Sequence, residues 1–164
     1  MKTKIKMKIT KSSGHSKLTG DFSEHLILYW LSKYGFECAR VDHTGIDLIA
    51  CNPKTKEPMG ISVKSRCRYE GKEGQGVRVD IDGMKKARKA CQDFRCQPYL
   101  AVVVDALDLI RCFVMPFATF YELYPRAKRN NVNWSMRKKR CAKYDDTPDV
   151  KQFDFTSATR QWWW

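Results

Sequence analysis

Three polar side chains at the ends of two short apolar runs have the types and spacing to do chemistry. The stretch from Val41 to Arg66 reads VDHTGIDLIACNPKTKEPMGISVKSR. The run IDLIA carries Asp47 near its start, and the run GISVK ends on Lys64. Strand residues alternate faces with period two, so Ser62 and Lys64 share one face while Ile61 and Val63 share the other. Paired as a hairpin, the two runs bring Asp47, Ser62 and Lys64 to one edge of a sheet. A carboxylate beside an ammonium at a strand end suits a divalent cation and a phosphate. The plainer alternative for Asp47 and Lys64 is a cross-strand salt bridge. His43, in the preceding turn, has the chemistry of a general acid or base, though a lone turn histidine is more often just surface.

The elements that must position these residues are legible from periodicity. Phe22, Leu26, Ile27, Trp30, Leu31 and Tyr34 recur at helical spacing, which predicts a helix from about Asp21 to Tyr34. Asp21 would be its N-cap, Gly35 its stop, and Glu24 a capping-box acid in the first turn. Strands are expected at 36–41, 46–51 and 60–65. The segment 67–76 is glycine-rich and charged, and it lacks the G-K-[ST] end of a phosphate-cradling loop. A short strand at 77–81 precedes a helix from about Gly83 to Phe94, with Met84, Ala87, Cys91 and Phe94 on its apolar face. PYLAVVVD, from Pro98 to Asp105, suits a central strand buried on both sides. A further strand at 109–115 leads to a short helix opened by Pro116. The alternation implies an α/β fold, a mixed sheet with helices on both faces.

Composition narrows the partners. The 164 residues carry 31 Lys plus Arg against 18 Asp plus Glu, a net charge of +13. Such an excess favours a polyanion, nucleic acid before membrane, and excludes neither a plain solvated basic face nor a ribosome-associated protein. No run approaches a transmembrane length, and the N-terminal MKTKIKMKITK lacks the apolar stretch of a signal peptide. The seven cysteines are odd in number and form no C-x-x-C pair. They read as reduced thiols of a cytoplasmic protein rather than zinc ligands. The chain divides by composition into a basic arm (1–19), an α/β core (20–124) and a basic, aromatic extension (125–164). The arm, with Lys alternating with Ile and Met, is equally an edge strand or a phosphate-binding tail. Lys85, Lys86, Arg88 and Lys89 on the second helix would contact nucleic-acid phosphates. So would Arg137, Lys138, Lys139 and Arg140 in the extension, where Trp134 would stack a base. The terminal Trp162-Trp163-Trp164 is expected to dock on the domain or on a second copy.

The order of parts resembles the PD-(D/E)XK nucleases, the restriction-endonuclease-like superfamily, whose compact members include archaeal Holliday junction resolvases. The resemblance covers roughly Gly20 to Phe117. It rests on the G-x-x-x-E of the first helix, a strand entered through Gly-Phe, then G-I-D-L-I-A and I-S-V-K-S. It implies a mixed β-sheet flanked by helices on both faces and an active site at Glu24, Asp47, Ser62 and Lys64. Asp47 would be the principal ligand of one Mg²⁺ or Mn²⁺, with the backbone carbonyl of Val63 and with Glu24, directly or through water. Lys64 would orient the attacking water or stabilise developing charge. Ser62 departs from the family, which usually carries an acid or Gln there. A neutral hydroxyl is a poor ligand for a hard cation, which makes a two-metal arrangement doubtful. Glu70, Glu73 and Asp42 are candidates for a migrated acid.

The expected function is a Mg²⁺-dependent DNA endonuclease of restriction, recombination or repair type. The alternatives are a nuclease-fold protein that binds nucleic acid without cutting, favoured by Ser62, and a structural or assembly protein with the terminal tryptophans as interface. Cutting both strands of a duplex calls for two active sites, which allows a homodimer without establishing one.

Overall fold

The computed structural model describes residues 5, 7–72 and 74–163. Its frame is a six-stranded sheet in the order β1-β2-β3-β5-β6-β8. The first four strands are β1 (Glu37–His43), β2 (Ile46–Cys51), β3 (Pro58–Cys67) and the short β4 (Val77–Val79). They are followed by β5 (Gln97–Ala106), β6 (Leu109–Pro116), β7 (Val132–Trp134) and β8 (Lys151–Thr156). β3 and β5 run parallel, with Ile61 opposite Tyr99 and Lys64 opposite Val102. All other neighbours in the sheet are antiparallel. A parallel pair needs a long crossover, and here it is made by β4 and helix α2 (Ile81–Asp93). β4 leaves the main sheet and pairs with β7.

Two apolar cores sit on the two faces. Helix α1 (His15–Lys33) packs Ile27 and Leu31 on Leu48, Ala50, Ile61, Ala101 and Val103. On the other face α2 packs Met84, Ala87, Ala90 and Cys91 with Leu100, Val102, Val104, Phe113 and Met115. The run Leu100–Val104 is buried throughout, as a strand covered on both faces must be. The mixed sheet with helices on both faces is therefore the expected architecture.

Two glycines set how closely α2 lies on the sheet. Gly45, in the β1–β2 turn, has φ +102°, and a Cβ there would stand 2.4–2.6 Å from the backbone of Lys86 and Ala87. A Cβ on Gly60 of β3 would meet Cys91 Sγ at 2.5 Å and Cys96 Sγ at 2.7 Å. Both positions permit a backbone approach that a side chain would block.

Some expectations change. α1 begins at His15 after Gly14, six residues before the expected cap at Asp21. The extra turns are tied by Thr19 Oγ1 donating to His15 O at 2.8 Å and Ser23 Oγ to Thr19 O at 2.7 Å. The Asp21 carboxylate instead takes Lys17 and Arg40. Thus residues 15–19 of the proposed arm are helical. Residues 7–14 form no strand, and Met1–Lys4 and Lys6 lie outside the described residues. The basic extension supplies β7, α4 (Lys138–Asp145) and β8, so it is woven into the same sheets as the core. Helix α3 (Phe117–Leu123) follows β6 as Pro116 predicts.

Candidate functional site

Asp47 stands where the sheet begins to open. The β2–β3 ladder ends with Leu48 opposite Ile61. One residue further, the Asp47 carboxylate accepts the Val63 N–H through Oδ2 at 2.6 Å. A side chain thus fills a ladder bond that the parting backbone no longer supplies, because a buried amide must find an acceptor. This fixes one oxygen of Asp47 between two strands.

Ser62 and Lys64 lie opposite Leu100 and Val102, both in the core on α2's side. Ser62 is buried, at 3% exposure. Lys64 reaches outward, and its Nζ lies 3.9 Å from Asp80 Oδ1. Asp80 is the N-cap of α2, and its Oδ2 accepts from Gly83 N at 2.6 Å. That backbone bond, and then the Lys64 and Arg78 charges, hold its carboxyl below the usual carboxylate range against a desolvation that pulls the other way. Asp80 is therefore an ionised acid beside the lysine. The close seating of α2 through Gly45 and Gly60 is what brings it there.

Asp80 is absent from the sequence-based candidates. Its signal was the V-D-I-D-G pattern ahead of the apolar helical face, an N-cap signature. The helix start placed at Gly83 passed over it. Of the three acids considered as substitutes for the missing one, Asp42 and Glu70 are exposed in loop or strand-end positions, and Glu73 lies outside the described residues.

Glu24 is placed differently from expectation. Its Oε2 accepts from Arg40 Nε at 2.5 Å, and Arg40 NH2 also reaches Asp21 Oδ1 at 2.9 Å. It is not a capping-box acid, because the helix starts nine residues earlier. Arg40 sits opposite Leu48, whose side chain belongs to the core on α1's side, whereas Ser62 and Lys64 face α2. Among the described residues, no three His, Cys, Asp or Glu side chains converge as a metal-holding group. His43 is exposed, with Nδ1 3.0 Å from Thr44 O and its ring edge-on to Phe94.

The carboxylates that a hard cation would take are Asp47 and Asp80, each bonded to a backbone amide through one oxygen. Asp47 and Asp80 supply oxygen, and Mg²⁺ is ordinarily held by one or two carboxylates together with substrate phosphate and water, not by an all-protein cage. The residues suit a cation shared with a bound phosphate, and do not suit a preformed two-ion cluster.

Most of the basic residues named from the sequence lie at the surface, whereas Arg140 and Trp134 are taken up by packing. Lys85, Lys86, Arg88 and Lys89 are exposed along α2. Lys89 is occupied by Asp93 at 2.6 Å, and Arg88 lies over the Tyr121 ring. Arg137, Lys138 and Lys139 are exposed at the start of α4, where cations oppose the positive end of the helix dipole. Arg140 is half-buried, donating to Leu123 O and covering the Tyr124 ring, so packing occupies much of it. Trp134 cannot stack a base, because it is 0% exposed and stacked on Tyr144 at 3.9 Å between centroids. β7 turns that indole inward onto Phe113 and Phe120. Arg137 shares a concavity of about 480 Å³ with Lys72, Asn133, Ser135 and the glycine-rich loop. At the other end of the chain Trp163 is 85% exposed, so it does not dock on the domain; Trp162 meets its ring edge-on at 4.7 Å between centroids, and Trp164 lies outside the described residues. All seven cysteines are free thiols, and among the described residues no helix is long and apolar enough to cross a membrane.

No family model matches the chain, and a search of curated proteins finds no match either. Among solved structures, the chain is similar to Hjc of Archaeoglobus fulgidus, a Holliday junction resolvase from an archaeal hyperthermophile. The superposition has a TM-score of 0.51 at 19% identity, over 74% of this chain and 85% of that one. The chain thus has the restriction-endonuclease-like fold of the PD-(D/E)XK nucleases, as its ordered motifs suggested.

Proposed function

We propose that this protein is a divalent-metal-dependent DNA endonuclease of restriction, recombination or repair type. The observation that carries the reading is the Lys64 ammonium beside the ionised Asp80, on the strand whose Val63 amide is held by Asp47, in the fold of a resolvase. A bound Mg²⁺ or Mn²⁺ would supply charge neutralisation at phosphorus and a more acidic water. Asp47 and Asp80 are the carboxylates that would hold it, with the Val63 carbonyl beside Asp47. Lys64 orients the attacking water or stabilises charge that develops on the phosphate. Ser62, behind Lys64 on the same face, positions rather than ligates. Glu24, held by Arg40 on α1's side of the sheet, would have to leave that pair to reach the site. Lys85, Lys86, Lys138, Lys139 and the Lys72–Arg137 concavity would hold the phosphate backbone, which positions DNA without reading sequence.

The similarity to a resolvase favours a branched substrate within that class. The test is cleavage of supercoiled, branched and single-stranded DNA with Mg²⁺ or Mn²⁺, beside a Lys64→Ala variant. Cleavage by the native chain and none by the variant, with binding retained by both, supports the reading. Equal cutting by both would place the nuclease elsewhere.

A second reading rests on Ser62 and Glu24. A buried neutral hydroxyl at the usual acid position, and a glutamate held by Arg40, suit a protein that binds branched nucleic acid and does not cut it. DNA bound but left intact under every metal condition would establish it.

A further inference from the structure

Helix α2 ends in a turn whose residue types the candidate site does not explain. Phe94 is its C-cap, Arg95 takes φ +53°, and Cys96 follows. Cys96 N donates to Cys91 O at 2.9 Å, and Arg95 N to Gln92 O at 3.3 Å. This pair of bonds is the closure in which a left-handed residue, most often glycine, folds the next side chain back onto the last helical turn. The two side chains that meet there are ordinarily apolar. In this chain they are two thiols.

Their geometry suits a covalent bond. With 2.9 Å between that nitrogen and that oxygen, covalent geometry keeps the two α-carbons within about 6.8 Å, the outer reach of a disulfide. The sulfurs converge as well. A Cβ on Gly60 would stand 2.5 Å from Cys91 Sγ and 2.7 Å from Cys96 Sγ, so both occupy the space over one glycine. Cys91 is buried, and its Sγ donates to Gly60 O at 3.6 Å. Cys96 is half-buried, and residues 92–95 and 97 around it are exposed. One thiol is open to a solute and the other lies behind it.

We propose that Cys91 and Cys96 form a reversible disulfide, a modification site that closes the end of α2. The co-reactant is a low-molecular-weight disulfide such as oxidised glutathione. Deprotonated Cys96 attacks one of its sulfurs, forming a mixed disulfide and expelling one glutathione thiolate, which takes up the proton. Cys91 Sγ then attacks Cys96 Sγ, and the second glutathione leaves as a thiolate that takes the Cys91 proton. Two protein thiols are oxidised, and one glutathione disulfide is reduced to two thiols.

The order of the steps follows from burial. Desolvation, and after it the neighbouring Cys96 thiol, push the Cys91 thiol up to about 12, so Cys91 does not open the exchange. Its own step is intramolecular, where proximity makes up for a weakly acidic thiol. The bond would tie the last turn of α2 to the entry of β5 over Gly60, where the helix rests on the sheet. The pair stands apart from the nuclease reading and needs no DNA.

The test is to incubate the folded, reduced chain with oxidised glutathione, alkylate the remaining thiols, digest with trypsin and map the peptides by mass. Cleavage after Lys89, Arg95 and Arg111 separates the two cysteines into peptides 90–95 and 96–111. The expected product is these two peptides joined by a disulfide, formed several-fold faster than any loss of the buried Cys112 thiol and reversed by dithiothreitol. Cys91→Ala should stop at a glutathione adduct on Cys96, and Cys96→Ser should leave Cys91 unmodified. A native chain that stops at the Cys96 adduct, or keeps both thiols while other cysteines are bridged, overturns the proposal. Those native-chain results decide the matter even if a variant folds poorly. The oxidised chain should also melt a few degrees above the reduced one, because the closed loop restrains the unfolded state. A lower midpoint would mean that the bond strains the turn, and would overturn the fit of the pair.

Discussion

Lys64 Nζ and Asp80 Oδ1 lie 3.9 Å apart, although the two residues belong to different layers of the molecule. One is on the central strand β3, the other on the first cap of the crossover helix. Asp80 thus has two tasks, a charge for the site and an acceptor for Gly83 N. Substitution can separate them. Asn caps helices about as well as Asp, so Asp80→Asn should change stability little. Asp80→Ala should lose about 0.5–2 kcal/mol. Both should lower metal-dependent cleavage by about 10²-fold, read in single-turnover assays beside denaturant melts. Full cleavage by Asp80→Asn would remove Asp80 from the site.

Arg40 competes with any cation for Glu24. The pair is partly exposed, so breaking it should cost little stability. Arg40→Ala also removes a positive charge from the neighbourhood. Divalent-metal affinity in the presence of DNA should therefore rise severalfold, measured by titrating Mn²⁺ against cleavage rate and by Ca²⁺ calorimetry. Unchanged affinity would leave Glu24 as a structural partner of Arg40.

The glycines that seat α2 should be intolerant of a methyl group. Gly60→Ala pushes against two thiols that can shift, and should cost about 1–3 kcal/mol. Gly45→Ala meets backbone at 2.4 Å and also has φ +102°, so it should cost more than Gly60→Ala. Both should impair cleavage beyond their effect on folding, because they displace Asp80 from Lys64. Urea melts and cleavage rates on the folded fraction check this.

The Asp80 carboxyl is held low in the folded chain, chiefly by the Gly83 amide. A depressed carboxyl contributes stability above its unfolded pKa of ~3.9 and loses it as pH falls through the folded value. Native stability should therefore drop below about pH 4, and Asp80→Asn should drop less. Comparing urea midpoints from pH 7 to pH 3 for the two proteins gives the difference.

Cations at the start of α4 repel one another and the helix dipole. Replacing Lys138 or Lys139 by Ala should weaken DNA binding similarly across sequences and reduce the salt slope by about one per residue. The same replacement should leave stability unchanged or slightly improved. Binding isotherms over a range of salt concentrations, with thermal melts, test both effects.

The sequence by itself determined the layers. The helical spacing of Ile27 and Leu31, the unbroken run Leu100–Val104 and the apolar face at Met84 and Ala87 are local patterns, and burial follows from them. It also set Ser62 and Lys64 on one face of β3, because period-two alternation acts within a single strand. Tertiary structure alone decided which acids are free to act. Arg40 and Glu24 are sixteen residues apart and meet only because α1 crosses β1. Asp80 reaches Lys64 only because two glycines let a helix rest on the sheet, and Trp134 is lost to solvent only because β7 turns it inward. Such contacts depend on distances between elements distant in the chain, which periodicity and residue type do not encode.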